Sequence, residues 1–391
     1  MSEAYIVSAV RTASGRRGGR LSGWHPARLA AAVLDEAVLR AGVDPAGVED
    51  VIMGCVTTAS EQSANIGRNA VLLSNLPRSV PGVTVDRQCG SSQQALQFAA
   101  QAVMSGMQDL VIAAGVESMT RVPIGSSASF FTEHGIGQGP YPPELIARLG
   151  AERLSQFDGA EMIAAKYGLS KDDMDRYALE THRRASQAAG SGAFDAEILP
   201  LPVDPGDPAS ALHREDEHVR HDATLEGIAS VRLLREGGLL TAATSSPITD
   251  GASAVLVASA AAVKAHGLTP LARVHKAIVT AGDPVIMLEE PIPATARLLA
   301  KAGLTIGDID LFEVNEAFAS VPLAWLKATG ADPARLNVNG GAIALGHPLG
   351  ASGTKLATTL IHALRARGLR YGLQTMCEAG GLANAMILEA L

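Results

Sequence analysis

The stretch Asn337-Val-Asn339-Gly340-Gly341-Ala342-Ile343-Ala344-Leu345-Gly346-His347-Pro348-Leu349-Gly350-Ala351-Ser352-Gly353 places one imidazole among glycines, where a strand is expected to turn into a helix. Glycine at this density lets backbone amides and a side chain crowd a ligand closely. A histidine beside glycines is more often a turn or core residue than a catalyst, so the segment gains meaning only from what surrounds it. An earlier part of the chain repeats its design. From Leu29 to Met119 and from Pro293 to Met386 the sequence runs through similar elements in one order. Each copy opens with a helix ending in Ala-Gly, at Ala41-Gly42 and Ala302-Gly303, and continues with an apolar strand, Val51-Ile-Met53 and Leu311-Phe312. Each then reaches a turn that feeds a long helix, and ends on strands, Leu110 to Ala114 and Leu373 to Met376, that run towards glycine turns. Ile6 to Val10 and Val274 to Val279 are the strands that begin the two copies. Helices alternating with buried strands predict mixed α/β layers in two related halves. A pseudo-twofold relation would bring Cys89, His347 and Cys377 to the interface between them.

In the first copy the turn is Val85-Asp86-Arg87-Gln88-Cys89-Gly90-Ser91-Ser92, followed by helical spacing at Ala95, Leu96, Phe98, Ala99, Ala102 and Val103. With Ser91 or Ser92 as the cap, the Cys89 thiol would lie at the positive end of that helix, a setting that favours a thiolate nucleophile. A buried apolar cysteine fits the local context equally well. Cys377 lies in Gln374-Thr375-Met376-Cys377-Glu378-Ala379-Gly380-Gly381-Leu382, where a strand enters a tight turn. Asn315 lies in Leu311-Phe312-Glu313-Val314-Asn315-Glu316-Ala317-Phe318, where an apolar run breaks towards a helix.

These four segments, in this order, resemble those of the thiolase family, and the resemblance extends from Tyr5 to Glu389, weakest between about Pro123 and Glu161. It implies duplicated α/β halves in an α-β-α-β-α layering. The expected domains are 1–120, completed by about 251–268, a loop or lid domain at 121–250, and a C-terminal half at 269–391. It implies a coenzyme A-dependent acyltransferase, cleaving 3-oxoacyl-CoA or joining two acetyl-CoA units. By resemblance, Cys89 carries the acyl group, Cys377 is the acid/base at the α-carbon, and His347 is a base that also serves an oxyanion site with a water held by Asn315. The backbone N–H groups of Cys89 and Ala379 form the second oxyanion site. Arg220 and Ser246 are expected to bind the nucleotide end and the pantetheine arm of coenzyme A, and a homodimer or homotetramer is expected. Acyl-CoA and coenzyme A enter as substrates, with no permanently bound cofactor. Two departures stand out: Asp86 occupies a position where many thiolases carry asparagine, and Ala379 replaces the first glycine of the turn after Cys377. If that turn needs a left-handed residue at 379, the alanine methyl is strained. A decarboxylating ketosynthase-like enzyme is the alternative within the condensing enzymes, and a catalytically silent binding subunit the alternative outside them. Cys377 and the Asn315 segment argue against the first, and the intact Cys89, His347 and Cys377 against the second.

Composition agrees with a folded enzyme: 47% of the 391 residues are hydrophobic, 18% are charged, and no apolar run is long enough to span a bilayer. A net charge of −8 gives no reason to expect nucleic acid or an anionic membrane surface as partner. Three cysteines without a CxxC pair argue against a disulfide framework and fit the reducing cytoplasm, the expected location. Cys55, the third, is expected to be structural. The insertion from about Thr120 to Asp250 breaks most clearly at Asp204-Pro-Gly-Asp-Pro208. It carries Arg183, Arg184, Arg214, Arg220, Arg232 and Arg235, any of which can offset the overall acidity around a phosphate-bearing ligand. Phe130, Phe131, Tyr141 and Leu145 are the expected walls of the acyl pocket. The loop Arg11 to Arg20 lacks the spacing of a nucleotide-binding fingerprint and reads as a connection. The cluster of His213, Glu215, Asp216, Glu217, His218 and His221 matches no standard zinc spacing, so no metal is expected.

Overall fold

The computed structural model describes residues 3–391. In the first half, strand β1 (Ala4–Thr12) leads to helix α1 (Pro26–Ala41), strands β2 (Asp50–Gly54) and β3 (Gly82–Val85), helix α2 (Ser91–Ser105) and strand β4 (Leu110–Ser118). Strand β5 (Thr249–Ser259) returns after the insertion and pairs antiparallel with both β4 and β1. The second half repeats the plan with β6 (Ala272–Ala281), α3 (Pro291–Ala302), β7 (Leu311–Val314), α4 (Ser352–Arg367), β8 (Tyr371–Glu378) and β9 (Leu382–Ala390).

The nine strands lie along one path, β7-β8-β9-β6-β1-β5-β4-β2-β3. Only the pairs Tyr5↔Arg273 and Ile6↔Ala272 join β1 to β6, so the path divides there into two sheets of like topology. In each, the inner pairings are antiparallel and the outer ones parallel. The counterpart of β3 has shrunk to the single parallel bridge Phe312↔Leu336, so Asn337 follows a bridge rather than a full strand.

Burial explains the layering. Strands β4 and β5 are buried along their whole length, as expected of strands covered on both faces. Between the two sheets lie α2 and α4, whose Leu96, Ala99, Val103, Leu360, Ile361 and Leu364 share one core with residues of both sheets. Outside them, α1 covers the first sheet, and α3 with Ser320–Thr329 covers the second. Five layers result, α-β-α-β-α. The central helices touch through glycine: a Cβ on Gly353 would lie 2.0 Å from the backbone nitrogen of Gln93. Phe98, read as part of the buried face of α2, is instead 39% exposed. Helices α1 and α3 end as the sequence reading required, on left-handed Gly42 and Gly303.

Residues 119–248, between β4 and β5, form helices Ser126–Glu133, Pro143–Leu149, Gln156–Lys166 and Lys171–Gly190, and a small hairpin of Leu201–Pro202 with Leu212–His213. The Asp204 to Pro208 break lies at the tip of that hairpin. No helix of the described residues is long and apolar enough to cross a membrane.

Candidate active site

Cys89 is the penultimate residue before α2, and the turn that presents it is tight. Gln88 has a left-handed backbone at φ 49°, and Asp86 Oδ1 accepts its N–H at 2.7 Å, so the short acidic side chain braces the turn. The helix begins on Gly90 with no side-chain cap, contrary to the expectation for Ser91 or Ser92. Ser91 Oγ instead donates to Gln88 O and accepts the Arg87 N–H, while Ser92 Oγ accepts Thr354 N–H from α4. The serines lock the turn and the two halves together rather than cap the helix.

Cys89 packs with Met119, Leu349, Leu356 and Met376, beside the loop that carries His347 and the strand that carries Cys377. It is 8% exposed and Cys377 is wholly buried. A helix-end thiolate, one of the two readings left open for Cys89, is not the resting state. Burial first, then the neighbouring Cys377, Glu378 and Glu117, push the Cys89 thiol well above its ordinary range. Burial and Glu378 push Cys377 up to about 12. Both sulfurs therefore rest as neutral thiols.

His347 sits between the short helix Ala342–Leu345 and the turn Leu349–Ala351 that precedes α4. Ser352 Oγ donates its one proton to Pro348 O at 2.8 Å, so at 2.5 Å from His347 Nδ1 it accepts a proton from that nitrogen. The tautomer follows: Nδ1 carries hydrogen and Nε2 keeps its lone pair. Asn315 Nδ2 donates to Nε2 at 3.3 Å, and Asn315 Oδ1 has no hydrogen-bond partner. Burial, assisted by the nearby Lys355 cation, pushes His347 down to about 3. A neutral imidazole with its free nitrogen held by an amide is built to receive a proton.

Several residues not singled out in the sequence hold this loop. Thr249 Oγ1 accepts the His347 N–H at 3.0 Å. Lys355 Nζ donates to Leu345 O at 2.7 Å and Gly346 O at 2.9 Å. Glu316 accepts from Tyr177, Thr181, Asn337 and the Ile343 N–H, fixing the glycine segment to the Asn315 strand end. Glu117 accepts from Val56 N, Thr57 N, Gln62 and Gly350 N, tying the turn after His347 to the loop after β2. Nothing local in the sequence marked them. Their partners lie far away in sequence, so only the fold reveals their role.

Ala379 follows Cys377 and Glu378 in the turn between β8 and β9. The left-handed positions of that turn are Gly380 (φ 85°) and Gly381 (φ 75°), and Ala379 is not among them. The condition for strain is therefore not met, and the methyl sits on ordinary backbone. Cys55 is buried in the core of the first half, as expected.

Arg220 lines a cleft of about 430 Å3 with His182, His218, Ser245, Pro247 and Ile343. Ser246 lies between two of these lining residues, its N–H bonded to Ala317 O at 2.9 Å. An adjoining cleft shares His218, Arg220 and Pro247 and adds Arg16 and Arg17. The loop read as a mere connection thus contributes two cations to the mouth. Its Arg11 is structural, buried against Glu197 and Asp216. His213, His218 and His221 point to three different partners, Ala13 O, Thr249 and Ser186. Among the described residues no three His, Cys, Asp or Glu side chains group as a metal site.

The N-terminal domain of thiolases matches residues 4–261, and their C-terminal domain matches residues 268–390. The chain belongs to the thiolase family. It is 51% identical over its whole length to the steroid 3-ketoacyl-CoA thiolase FadA6 of Mycobacterium tuberculosis, covering 95% of that protein. It is 42% identical to the beta-ketoadipyl-CoA thiolase of Escherichia coli, with both chains covered in full. The crystal structure of the Bacillus anthracis acetyl-CoA acetyltransferase superposes with a TM-score of 0.90 at 35% identity, covering 100% of this chain and 99% of that one. Thiolases act on coenzyme A thioesters. The activity of this thiolase is the thiolytic cleavage of 3-oxoacyl-CoA and the reverse condensation.

Proposed function

We propose that this thiolase cleaves 3-oxoacyl-CoA substrates with wide apolar acyl groups, through an acyl-Cys89 intermediate, with His347 and Cys377 moving the protons. The observation that carries the mechanism is the neutral His347, its Nδ1–H engaged by Ser352 and its Nε2 facing Asn315. Cys89 Sγ attacks the 3-oxo carbon while its proton passes to His347 Nε2, so the thiolate forms only as the new bond forms. The carbon–carbon bond then breaks, its electron pair moving onto the α-carbon of acetyl-CoA. Cys377 protonates that carbon, and the imidazolium proton restores the Cys377 thiol. In the second half, coenzyme A yields its thiol proton through His347 to the departing Cys89 sulfur and leaves as acyl-CoA. His347 with a water on Asn315 serves one oxyanion, and the N–H groups of Cys89 and Ala379 serve the other; each such donor is commonly worth about 3 kcal/mol.

The segment 121–250 acts in this reading as the coenzyme A-binding loop domain. Arg220, supported by Arg16 and Arg17, meets the phosphates, and Ser246 meets the pantetheine arm. The wide apolar acyl group is favoured by the steroid substrate in the name of the 51% identical relative. It is also favoured by the exposed apolar side chains Ile124, Phe130, Phe131, Ile136 and Tyr141 on the lid. The molecule is expected to work as a homodimer or homotetramer. A panel of 3-oxoacyl-CoA thioesters from acetoacetyl to polycyclic tests the reading by kcat/KM for thiolysis. Preference for the bulky members supports it, and preference for acetoacetyl-CoA or for a dicarboxylic chain contradicts it.

A further inference from the structure

Glu378 lies immediately after Cys377 at the end of β8, is wholly buried, and has no part in the chemistry described above. The buried carboxylates that brace the site, Glu117 and Glu316, each receive four kinds of donor. Glu378 receives one, the Asn384 N–H at 3.0 Å on Oε1, and its Oε2 has no partner. Its carboxyl fills the space above Gly90: a Cβ there would lie 1.9 Å from Oε1 and 2.5 Å from Cδ. The residue before Gly90 is the nucleophile. One carboxyl thus bridges the turn of Cys89 and the turn of Cys377, with an oxygen left over.

We propose that Glu378 is a positioning residue that works as a neutral carboxylic acid, clamping the Cys89 turn against the Cys377 turn while keeping negative charge away from both thiols. The inference rests on the assignment of Cys89 as nucleophile and Cys377 as acid/base. Each of those sulfurs must be anionic at some point in the cycle, and a carboxylate beside them would oppose both ionisations. A neutral acid opposes neither, and its unpartnered oxygen supplies a donor. The groups facing Glu378 are few. From its own strand comes the Cys377 thiol; from the nucleophile turn come the Cys89 thiol and the Arg87 guanidinium; from β9 comes only the Asn384 N–H. Burial outweighs Arg87 and the N–H and pushes the carboxyl up to about 8, so it is mostly protonated at neutral pH.

The test is the alkylation rate of Cys89 by iodoacetamide in the resting, full-length enzyme from pH 6.5 to 9.5, with the label at Cys89 and Cys377 quantified separately by peptide mass mapping. Glu378→Gln keeps the shape and removes the ionisation. The variant and parent should react alike at pH 6.5, and the variant should react roughly tenfold faster by pH 9.5, the effect of about one pKa unit on a thiol. The parent profile should itself flatten near pH 8, where the carboxylate forms. A ratio constant across the range, with an unbroken rise in the parent, would overturn the proposal and leave Glu378 as packing. Should the variant fail to fold, the parent profile decides alone. Thiolysis by the parent separates the two layers of argument. Normal thiolysis with a flat ratio removes Glu378 from the account only, whereas a pH-dependent ratio without thiolysis leaves Glu378 standing and removes the assigned reaction.

Discussion

His347 is the side chain on which the proposed proton transfers turn, and its neutrality has a consequence for stability. Its ordinary value of 6.5 falls to about 3 in the folded protein, so the unfolded chain binds the proton first as pH drops. The contribution is therefore present above pH 6.5 and is lost as pH falls from 6.5 towards 3. In urea unfolding at pH 7 and pH 5, His347→Gln should lose less stability between the two than the parent; equal losses would mean that His347 is not held neutral. Cys377 is tested by separating half-reactions. Cys377→Ala should still take an acetyl group from acetyl-CoA onto Cys89, yet cleave 3-oxoacyl-CoA roughly 10²- to 10⁴-fold more slowly, because the carbon acid has lost its proton partner. Thiolysis at the parent rate would remove it from the mechanism. The proposed roles of Cys89, His347 and Cys377 were legible in the sequence because each sits near glycine in a turn with a distinctive local spelling. Their protonation states were not. A helix-end thiolate was one reading of Cys89, but the fold buries the sulfur beside Cys377, and desolvation outweighs a few backbone dipoles.

Helices α2 and α4 carry the Cys89 turn and the His347 turn into contact, and their crossing depends on the absence of a side chain at 353. A methyl at that position would meet the backbone nitrogen of Gln93, which cannot swing aside as a flexible side chain could. Gly353→Ala should cost about 3 kcal/mol by overpacking and lower turnover more than its stability loss explains, since Ser352 and Thr354 both move. Thermal unfolding and kcat measured at a temperature where the variant is folded check this; unchanged values would mean that the crossing is slack. At the cleft, Arg220→Ala should raise KM for coenzyme A substrates several-fold with little change in kcat, as when uniform binding is removed. A pantetheine substrate lacking the nucleotide should not notice the change, and an equal effect on both would make Arg220 structural. The paired Ala-Gly helix ends and the apolar strand runs were readable because they obey local rules. The serine cap was misread because Ser91 and Ser92 spend their hydroxyls on Gln88, Arg87 and Thr354, and the last of these lies 262 positions away. That Arg16 and Arg17 border a cleft was not legible for the same reason, since the rest of the cleft is made by residues from 217 to 248.

Duplication is what makes the site possible. Each half alone supplies one turn ahead of a central helix, and the residues of the proposed site come from both: Cys89 from the first, Asn315, His347 and Cys377 from the second. The repeat was visible as two parallel successions of helix, strand and turn, so the α/β layering could be read before any coordinates. The shrunken counterpart of β3 could not, because a single bridge at Leu336 leaves no periodicity to detect. The claim that unites fold and chemistry is that the first half carries the acyl group while the second half manages its protons. Incubation of the full-length enzyme with acetyl-CoA alone, acid quench and peptide mass mapping tests it directly. One acetyl group per chain is expected, on Cys89, with Cys377 and Cys55 unmodified; acetyl on Cys377 with none on Cys89 would exchange the two roles.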